Sequence, residues 1–271
     1  MIKVGVGGAA GRMGSLVARG VLESEDLNLV GALEAKEHPF IGRDIGEAIG
    51  KIPQGIKITS DIVEAFSDSA VIIDFSTPSA TLENIRVAAD YSKAMVIGTT
   101  GFTDKQRNSL MEYGASIPFV LSPNMSIGVN VLFKIVGILT NLLGEEYDVE
   151  IVEAHHRLKK DAPSGTAKGL ALAIAKAREV DLEQHARYER YGSIGERPMG
   201  EIGIQTVRAG DIVGEHTVYF AGGGERIEIT HRAHSRENFA RGALRAARWI
   251  VHKQPGVYTM MDVLGLSNED R

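Results

Sequence analysis

Residues 153–167 read Glu-Ala-His-His-Arg-Leu-Lys-Lys-Asp-Ala-Pro-Ser-Gly-Thr-Ala. Two histidines, three cations, two carboxylates and a Ser-Gly-Thr turn thus share one short segment. Residues 148–152 before it alternate like a strand, and residues 166–177 after it read as an Ala/Leu-rich helix. Pro163, Ser164, Gly165 and Thr166 form a helix start with a Ser or Thr cap. Such an end binds anions through its first-turn amides and the helix dipole. In isolation a His-His-Arg-x-Lys-Lys run is usually a solvated loop, and the Ser-Gly-Thr turn alone is only a cap. Together they suit a small anionic substrate that must be protonated.

A second chemical feature lies at the start of the chain. A β-branched run, residues 2–6, leads into Gly7-Gly8-Ala9-Ala10-Gly11-Arg12-Met13-Gly14 and then an amphipathic helix over 15–22. Strand, glycine-rich turn and helix make the opening of a dinucleotide-binding fold. The spacing is Gly8-x-x-Gly11-x-x-Gly14 rather than a strict G-x-G-x-x-G. Context strengthens it. A second strand, 29–33, ends in Glu34, about twenty residues past the last glycine, where an acidic residue holds the adenosine ribose hydroxyls.

The elements that must position these residues alternate strand and helix up to about Ser122. Strands are expected at 2–6, 29–33, 71–75, 95–97 and 119–121, with helices such as 81–91 and 104–113 between them. This predicts a parallel sheet wrapped by helices. Asp74-Phe75-Ser76-Thr77-Pro78 and Gly98-Thr99-Thr100 then end strands at the carboxyl edge, where cofactors bind. Gly98 lets backbone come close, and the hydroxyls of Thr99 and Thr100 can bond a nicotinamide ribose or amide. After Met125 a long apolar helix, 127–143, precedes the strand carrying Glu150 and Glu153, the basic loop and its helix. Three further strands follow near 200–209, 215–220 and 226–231, with a hairpin turn at Gly222-Gly223-Gly224. This second sheet reads as mixed and open, and self-association is the usual cover for such a face. Helix resumes from Ser235.

Composition bounds the function. At 271 residues the chain has room for two modest domains. Its 44% apolar and 24% charged content are those of a soluble globular protein. A net charge of -5 gives no global basic surface for nucleic acid. No secretory signal is recognised, and the apolar run 127–143 is short and interrupted, so neither secretion nor a membrane partner is expected. The absence of cysteine fits a reducing cytoplasm and excludes thiolate catalysis and Cys-ligated zinc. No residue is assigned to a metal.

Three motifs join these features. They are the basic loop, Val96-Ile97-Gly98-Thr99-Thr100-Gly101-Phe102 and Ser122-Pro123-Asn124-Met125. Further stretches at 207–216 and 225–231 extend the pattern. With them the chain resembles the 4-hydroxy-tetrahydrodipicolinate reductase (dihydrodipicolinate reductase) family nearly end to end. The His-His-x-x-Lys-x-Asp-Ala-Pro-Ser-Gly-Thr segment is its most specific part. The resemblance implies an α/β chain with a Rossmann-type parallel-sheet nucleotide domain, 1–126 and 236–271. It implies a second α+β domain, 127–235, that binds substrate, carries the open mixed sheet and builds a homotetramer. It implies reduction of a cyclic imine dicarboxylate by NADH or NADPH with loss of water, on the diaminopimelate route to lysine. His155 and Lys159 match the catalytic pair. His156, Gly165 and Thr166 match substrate-binding positions. Gly8, Ala9, Ala10, Gly11, Arg12, Met13, Glu34, Gly98, Thr99, Thr100 and Ser122, Pro123, Asn124, Met125 match the cofactor site. Imidazole titrates near neutrality and suits proton donation; an ammonium at Lys159 stabilises developing charge or donates a proton. Arg157 and Lys160 are read as solvated, as are His38, His185 and His252.

One departure bears on cofactor choice. The family often carries Glu then Arg at the end of the second strand, and the Arg grips a 2′-phosphate. Here the run is Leu33-Glu34-Ala35-Lys36. NADH use at least equal to NADPH use is therefore expected, with Arg12 and Lys36 as the remaining nearby charges. Two other classes stay open. A different Rossmann reductase of a small anionic imine or amino acid is told apart by product analysis. A nicotinamide-responsive binding protein is told apart by nucleotide binding without turnover.

Overall fold

The computed structural model describes residues 1–267; residues 268–271, the end of the range expected for the nucleotide domain, lie outside the described residues. The chain divides into two compact units. One comprises Met1–Ile127 and the chain from Arg236 onward, the other Gly128–Ser235.

In the first unit the elements run β1 (Ile2–Gly7), α1 (Arg12–Leu22), β2 (Leu27–Leu33), α2 (Ile45–Ala48), β3 (Ile58–Thr59), α3 (Ile62–Phe66) and β4 (Val71–Asp74). They continue with α4 (Pro78–Asp90), β5 (Ala94–Ile97), α5 (Asp104–Glu112) and β6 (Pro118–Leu121). The second unit holds α6 (Ile127–Leu143), which begins on the last residue of the first, then β7 (Asp148–His155), α7 (Gly165–Ala177), α8 (Leu182–His185) and β8 (Ala186–Arg187). It closes with β9 (Ile202–Arg208), β10 (Gly214–Gly222) and β11 (Glu225–Ala233). The chain then returns to the first unit with α9 (Glu237–Ile250), β12 (Gly256–Tyr258) and α10 (Met260–Val263).

The first sheet has seven strands in the order β12-β6-β5-β4-β1-β2-β3, every pair parallel. All four residues of β4 and of β5 are buried, as a sheet covered on both faces requires. Alternation along the strands builds two cores. Val4, Val6, Val71 and Val96 pack with Val17, Val21 and Ala243 of α1 and α9. Ile72, Met95, Ile97 and Phe119 pack with Phe66, Ile85 and Leu110 of α3, α4 and α5. The chain order reverses across the sheet between β1 and β4. Ligands bind at the carboxyl ends of the strands beside such a switch point, here Gly7 and Asp74.

The second sheet has the order β11-β10-β7-β9-β8. The β7–β9 and β8–β9 pairs are parallel, and the β7–β10 and β10–β11 pairs antiparallel, so the sheet is mixed. Gly222 pairs with Glu225, leaving Gly223-Gly224 as a two-residue hairpin loop. Val149, Ile151, Ile202, Ile204, Val218 and Phe220 form one apolar face against α6 and α7. The opposite face carries Val152, Gln205, Thr217 and Tyr219, and Glu150 paired there with Arg190 and Arg197. Three short strands, β3, β8 and β12, and four one-turn helices add to the elements expected from the sequence.

Candidate active site

In the second unit the basic loop joins β7 to α7. Ser164 is the N-cap of α7, its hydroxyl accepting from Ala167 N at 3.1 Å. Gly165 is exposed, with open space where a side chain would stand. Thr166 is half-buried in the same first turn. Backbone bonds from Ala209 N to His155 O and from Arg157 N to Gly210 O pin the loop to the end of β9. Lys159 Nζ rests 2.9 Å from Asp161 Oδ1. That hydrogen bond lowers the Asp161 carboxyl below its usual range. The carboxylate is largely solvated, so the pair is weak and exchangeable. Arg157 and Lys160 are exposed.

Behind the loop lies a buried ionic cluster. His155 Nδ1 is 2.6 Å from Glu153 Oε2, and Ser164 N donates to Glu153 Oε1 at 2.9 Å. Arg208 forks onto the same carboxylate, Nη1 to Oε2 and Nη2 to Oε1, each at 2.8 Å. Burial opposes ionisation of Glu153, but the bonds from His155, Arg208 and Ser164 outweigh it and hold the carboxyl at about 2. His216, 3% exposed, places Nε2 at 2.9 Å from Ser164 Oγ and its ring 5.1 Å from that of His155. Burial, reinforced by His155, drives its imidazole down to about 3, so it is neutral at physiological pH. His156 is half-buried, and its Nδ1 has no partner among the described residues.

In the first unit the glycine turn is shaped by close approach. Gly8 has φ +68°, and a Cβ on Gly14 would stand 1.9 Å from Gly8 O. Helices α2, α3, α4, α5, α7 and α8 each begin on a side chain that accepts from the first turn. Helix α1 begins on Gly11 with no side-chain cap, so its first-turn amides are not met from within. This is the arrangement a pyrophosphate needs. Glu34 spans turn and strand end, Oε2 accepting from Ala10 N and Oε1 from Ala35 N, both at 3.0 Å. An open cleft of about 440 Å³ is lined here by Gly8, Gly11, Glu34, Lys36, Thr77 and Asn84. These residues fit a dinucleotide.

The other expected cofactor positions divide. Gly11, Arg12, Thr100 and Pro123 are exposed; Ala10, Met13, Gly98 and Asn124 are half-buried. Ala9, Thr99, Ser122 and Met125 are buried. The Thr99 hydroxyl accepts from Thr81 Oγ1 at 2.9 Å inside the protein, whereas both threonine hydroxyls were expected to face a ligand. A Cβ on Gly98 would meet the Phe75 ring at 2.1 Å, so packing against Phe75 accounts for this glycine. Ser122 Oγ donates to Asn124 O, and Asn124 Oδ1 accepts from Ser126 N, which folds the 122–126 turn on itself.

Comparison with known proteins decides the family. Residues 2–125 match the model described as dihydrodipicolinate reductase, N-terminus, and residues 128–264 the model for its C-terminus. The chain belongs to the dihydrodipicolinate reductase family. It is 54% identical over 266 residues to the 4-hydroxy-tetrahydrodipicolinate reductase of Syntrophobacter fumaroxidans, covering 98% of this chain and 100% of that one. Identity to the reductase of Citrifermentans bemidjiense is 52% with the same coverage. A dipicolinate-bound dihydrodipicolinate reductase from Paenisporosarcina sp. TG-14 has a similar structure, with TM-score 0.76, 25% identity, and 97% of this chain and 98% of that one covered. An amine dehydrogenase from Mycobacterium smegmatis, at TM-score 0.60 and 11% identity, shares the fold.

Sequence reasoning passed over three polar residues that hold the family's motifs in place, and read a fourth, Asp74, only as part of a strand end. Glu153, Arg208 and His216 carry the basic loop, and none was given a role. Asp74, wholly buried, accepts from Ser76 N at 2.9 Å and Asn84 Nδ2 at 3.1 Å; burial pushes its carboxyl up. Gly7 leaves room for it, since a Cβ there would stand 2.8 Å from Asp74 Oδ1.

Proposed function

We infer that this chain reduces 4-hydroxy-tetrahydrodipicolinate to tetrahydrodipicolinate with a nicotinamide cofactor, in the diaminopimelate route to lysine. The observation that carries this reading is the 153–167 loop. It sets His155, His156 and Lys159 beside a capped helix start, in a chain about half identical to named reductases along nearly its whole length.

The cofactor, when bound, supplies the hydride. Gly8, Ala9, Ala10, Gly11, Arg12 and Met13 cradle its pyrophosphate through backbone and the uncapped start of α1. Glu34 receives the adenosine ribose, and Gly98, Thr99, Thr100 and residues Ser122, Pro123, Asn124 and Met125 border the nicotinamide. The buried members of this set act through backbone and packing. The substrate's hydroxyl leaves as water, one carbon gains the hydride, and one proton must be delivered. His155 supplies that proton, and Lys159 stabilises charge as the substrate displaces Asp161 from it. His156, Gly165 and Thr166 hold carboxylate. The Paenisporosarcina relative is bound to dipicolinate, and a ring dicarboxylate of that kind suits this loop.

On cofactor choice, Ala35 follows Glu34 and offers no guanidinium to a 2′-phosphate, so NADH serves at least as well as NADPH. The chain works as a homotetramer in the cytoplasm, with the Val152–Tyr219 face of the second sheet covered by other copies. No helix among the described residues is long and apolar enough to cross a membrane. Mass-spectrometric product analysis tests the reading. Tetrahydrodipicolinate formed only with chain, cofactor and substrate together supports it; a different reduced product identifies another Rossmann reductase.

A further inference from the structure

Glu153 stands behind His155 rather than in front of a ligand. Its side chain has no exposed surface, and its carboxylate receives donors from β7, β9 and the cap of α7. An ionised carboxylate only accepts hydrogen bonds, so the proton of the 2.6 Å contact belongs to Nδ1 of His155. A neutral His155 is then the Nδ1–H tautomer, with the lone pair on Nε2. No protein group among the described residues bonds that Nε2. Gly214 of β10 leaves it room, because a Cβ there would stand 3.0 Å from it.

Arg208 completes the arrangement. Its fork matches the charge of Glu153, and Nη2 also donates to Asp161 O at 2.6 Å. The buried Glu153–Arg208 pair is neutral overall, so the carboxylate is not left unpaired. The oxygen facing away from the histidine holds Ser164 N, the backbone of the residue that caps α7. One buried group therefore ties the proton donor to the anion-binding turn.

We propose that Glu153, clamped by Arg208, is a positioning residue that fixes the tautomer and ring orientation of His155 and the seat of the Ser164–Thr166 turn. This rests on the reading of His155 as proton donor. Gln at 153 keeps an oxygen for Ser164 N, so Glu153→Gln acts on the proton step through His155 and cannot cost that step more than loss of His155 does. Glu153→Gln should lower kcat at least tenfold, short of the roughly 10²–10⁴-fold loss expected for His155→Ala. The double variant should be no slower than His155→Ala alone, because the two effects are not independent.

The test combines kinetics with ¹⁵N NMR of the histidine side chains in the full chain. In the parent, neutral His155 should show a protonated Nδ1 and a bare Nε2. In Glu153→Gln the Nε2–H tautomer should become populated, with cofactor Kd unchanged. A parent His155 protonated on Nε2 overturns the proposal, and this reading needs no variant to fold. So does a Glu153→Gln enzyme with parental kcat, or a double variant much slower than His155→Ala. Near-parental turnover in His155→Ala is a different failure: it removes the reading of His155 on which the proposal rests.

Discussion

The Ser164 hydroxyl stands 2.9 Å from Nε2 of His216, inside the protein. Ser164 also caps α7, so a neutral imidazole is built into the support of the loop. Burial holds His216 at about 3 against an ordinary value of 6.5, with His155, His231 and Lys159 opposing its protonation and Glu153 favouring it. Below pH 6.5 an unfolded chain takes up this proton and the folded chain does not. Stability is therefore fully present above pH 6.5 and falls as pH drops toward 3, by up to about 1.4 kcal/mol per pH unit. Glu153 adds a second loss in the same direction between 4.5 and about 2. Denaturant titrations from pH 7 to 4 should show this slope, and His216→Gln should flatten it. A parent whose stability is constant over that range contradicts the assignment.

Removing either chemical group of the loop should separate turnover from cofactor binding. His155→Ala and Lys159→Ala should each lower kcat by ~10²–10⁴-fold while leaving NADH affinity nearly intact. Both residues belong to the second unit, and the glycine turn to the first. Steady-state kinetics and a fluorescence titration with NADH measure the two effects. Near-normal turnover in either variant removes that residue from the mechanism.

The capped turn should govern substrate rather than cofactor. Thr166→Val deletes a hydroxyl in the first turn of α7 while keeping shape, and should raise the substrate KM by the equivalent of roughly 0.5–1.5 kcal/mol. An effect confined to the cofactor KM would mean that the turn binds something else.

Cofactor choice is testable at the end of β2. Glu34 already spends both oxygens on the amides of Ala10 and Ala35, and it repels a 2′-phosphate. Ala35→Arg should shift preference toward NADPH by a charge-assisted contact of roughly 1.5–3 kcal/mol before the side chain is ordered. Lys36→Ala should weaken NADPH more than NADH. The ratio of kcat/KM for the two cofactors is the readout. A parent that strongly prefers NADPH, with neither substitution moving the ratio, places phosphate recognition elsewhere.

What could be read from the sequence followed from local order. Gly8, Gly11 and Gly14 sit within one turn, and residues 153–167 within one loop, so spacing alone exposed both. Long helices and strands with clear period were likewise legible, as were the Gly223-Gly224 hairpin and the mixed second sheet. Strands of two or three residues, β3, β8 and β12, carry too little periodicity to announce themselves and owe their pairing to neighbours already in place. The support of His155 was hidden for another reason. Glu153, Arg208 and His216 are far apart in sequence, and strand register alone aligns them: His155 pairs with Arg208, and Glu153 with His216. Thr99 was legible as a strand-end residue, but its buried hydroxyl bond from Thr81 on α4 depends on a helix packed from elsewhere in the chain and carries no local signal.

The most direct test is a continuous NADH-oxidation assay in which pyruvate, aspartate semialdehyde and the upstream synthase generate the cyclic imine in place. The parent chain should oxidise NADH only when all three are present, and the Lys159→Ala chain should bind NADH yet oxidise it at least a hundredfold more slowly. NADH binding without oxidation by the parent, or oxidation that ignores the synthase, would contradict the account.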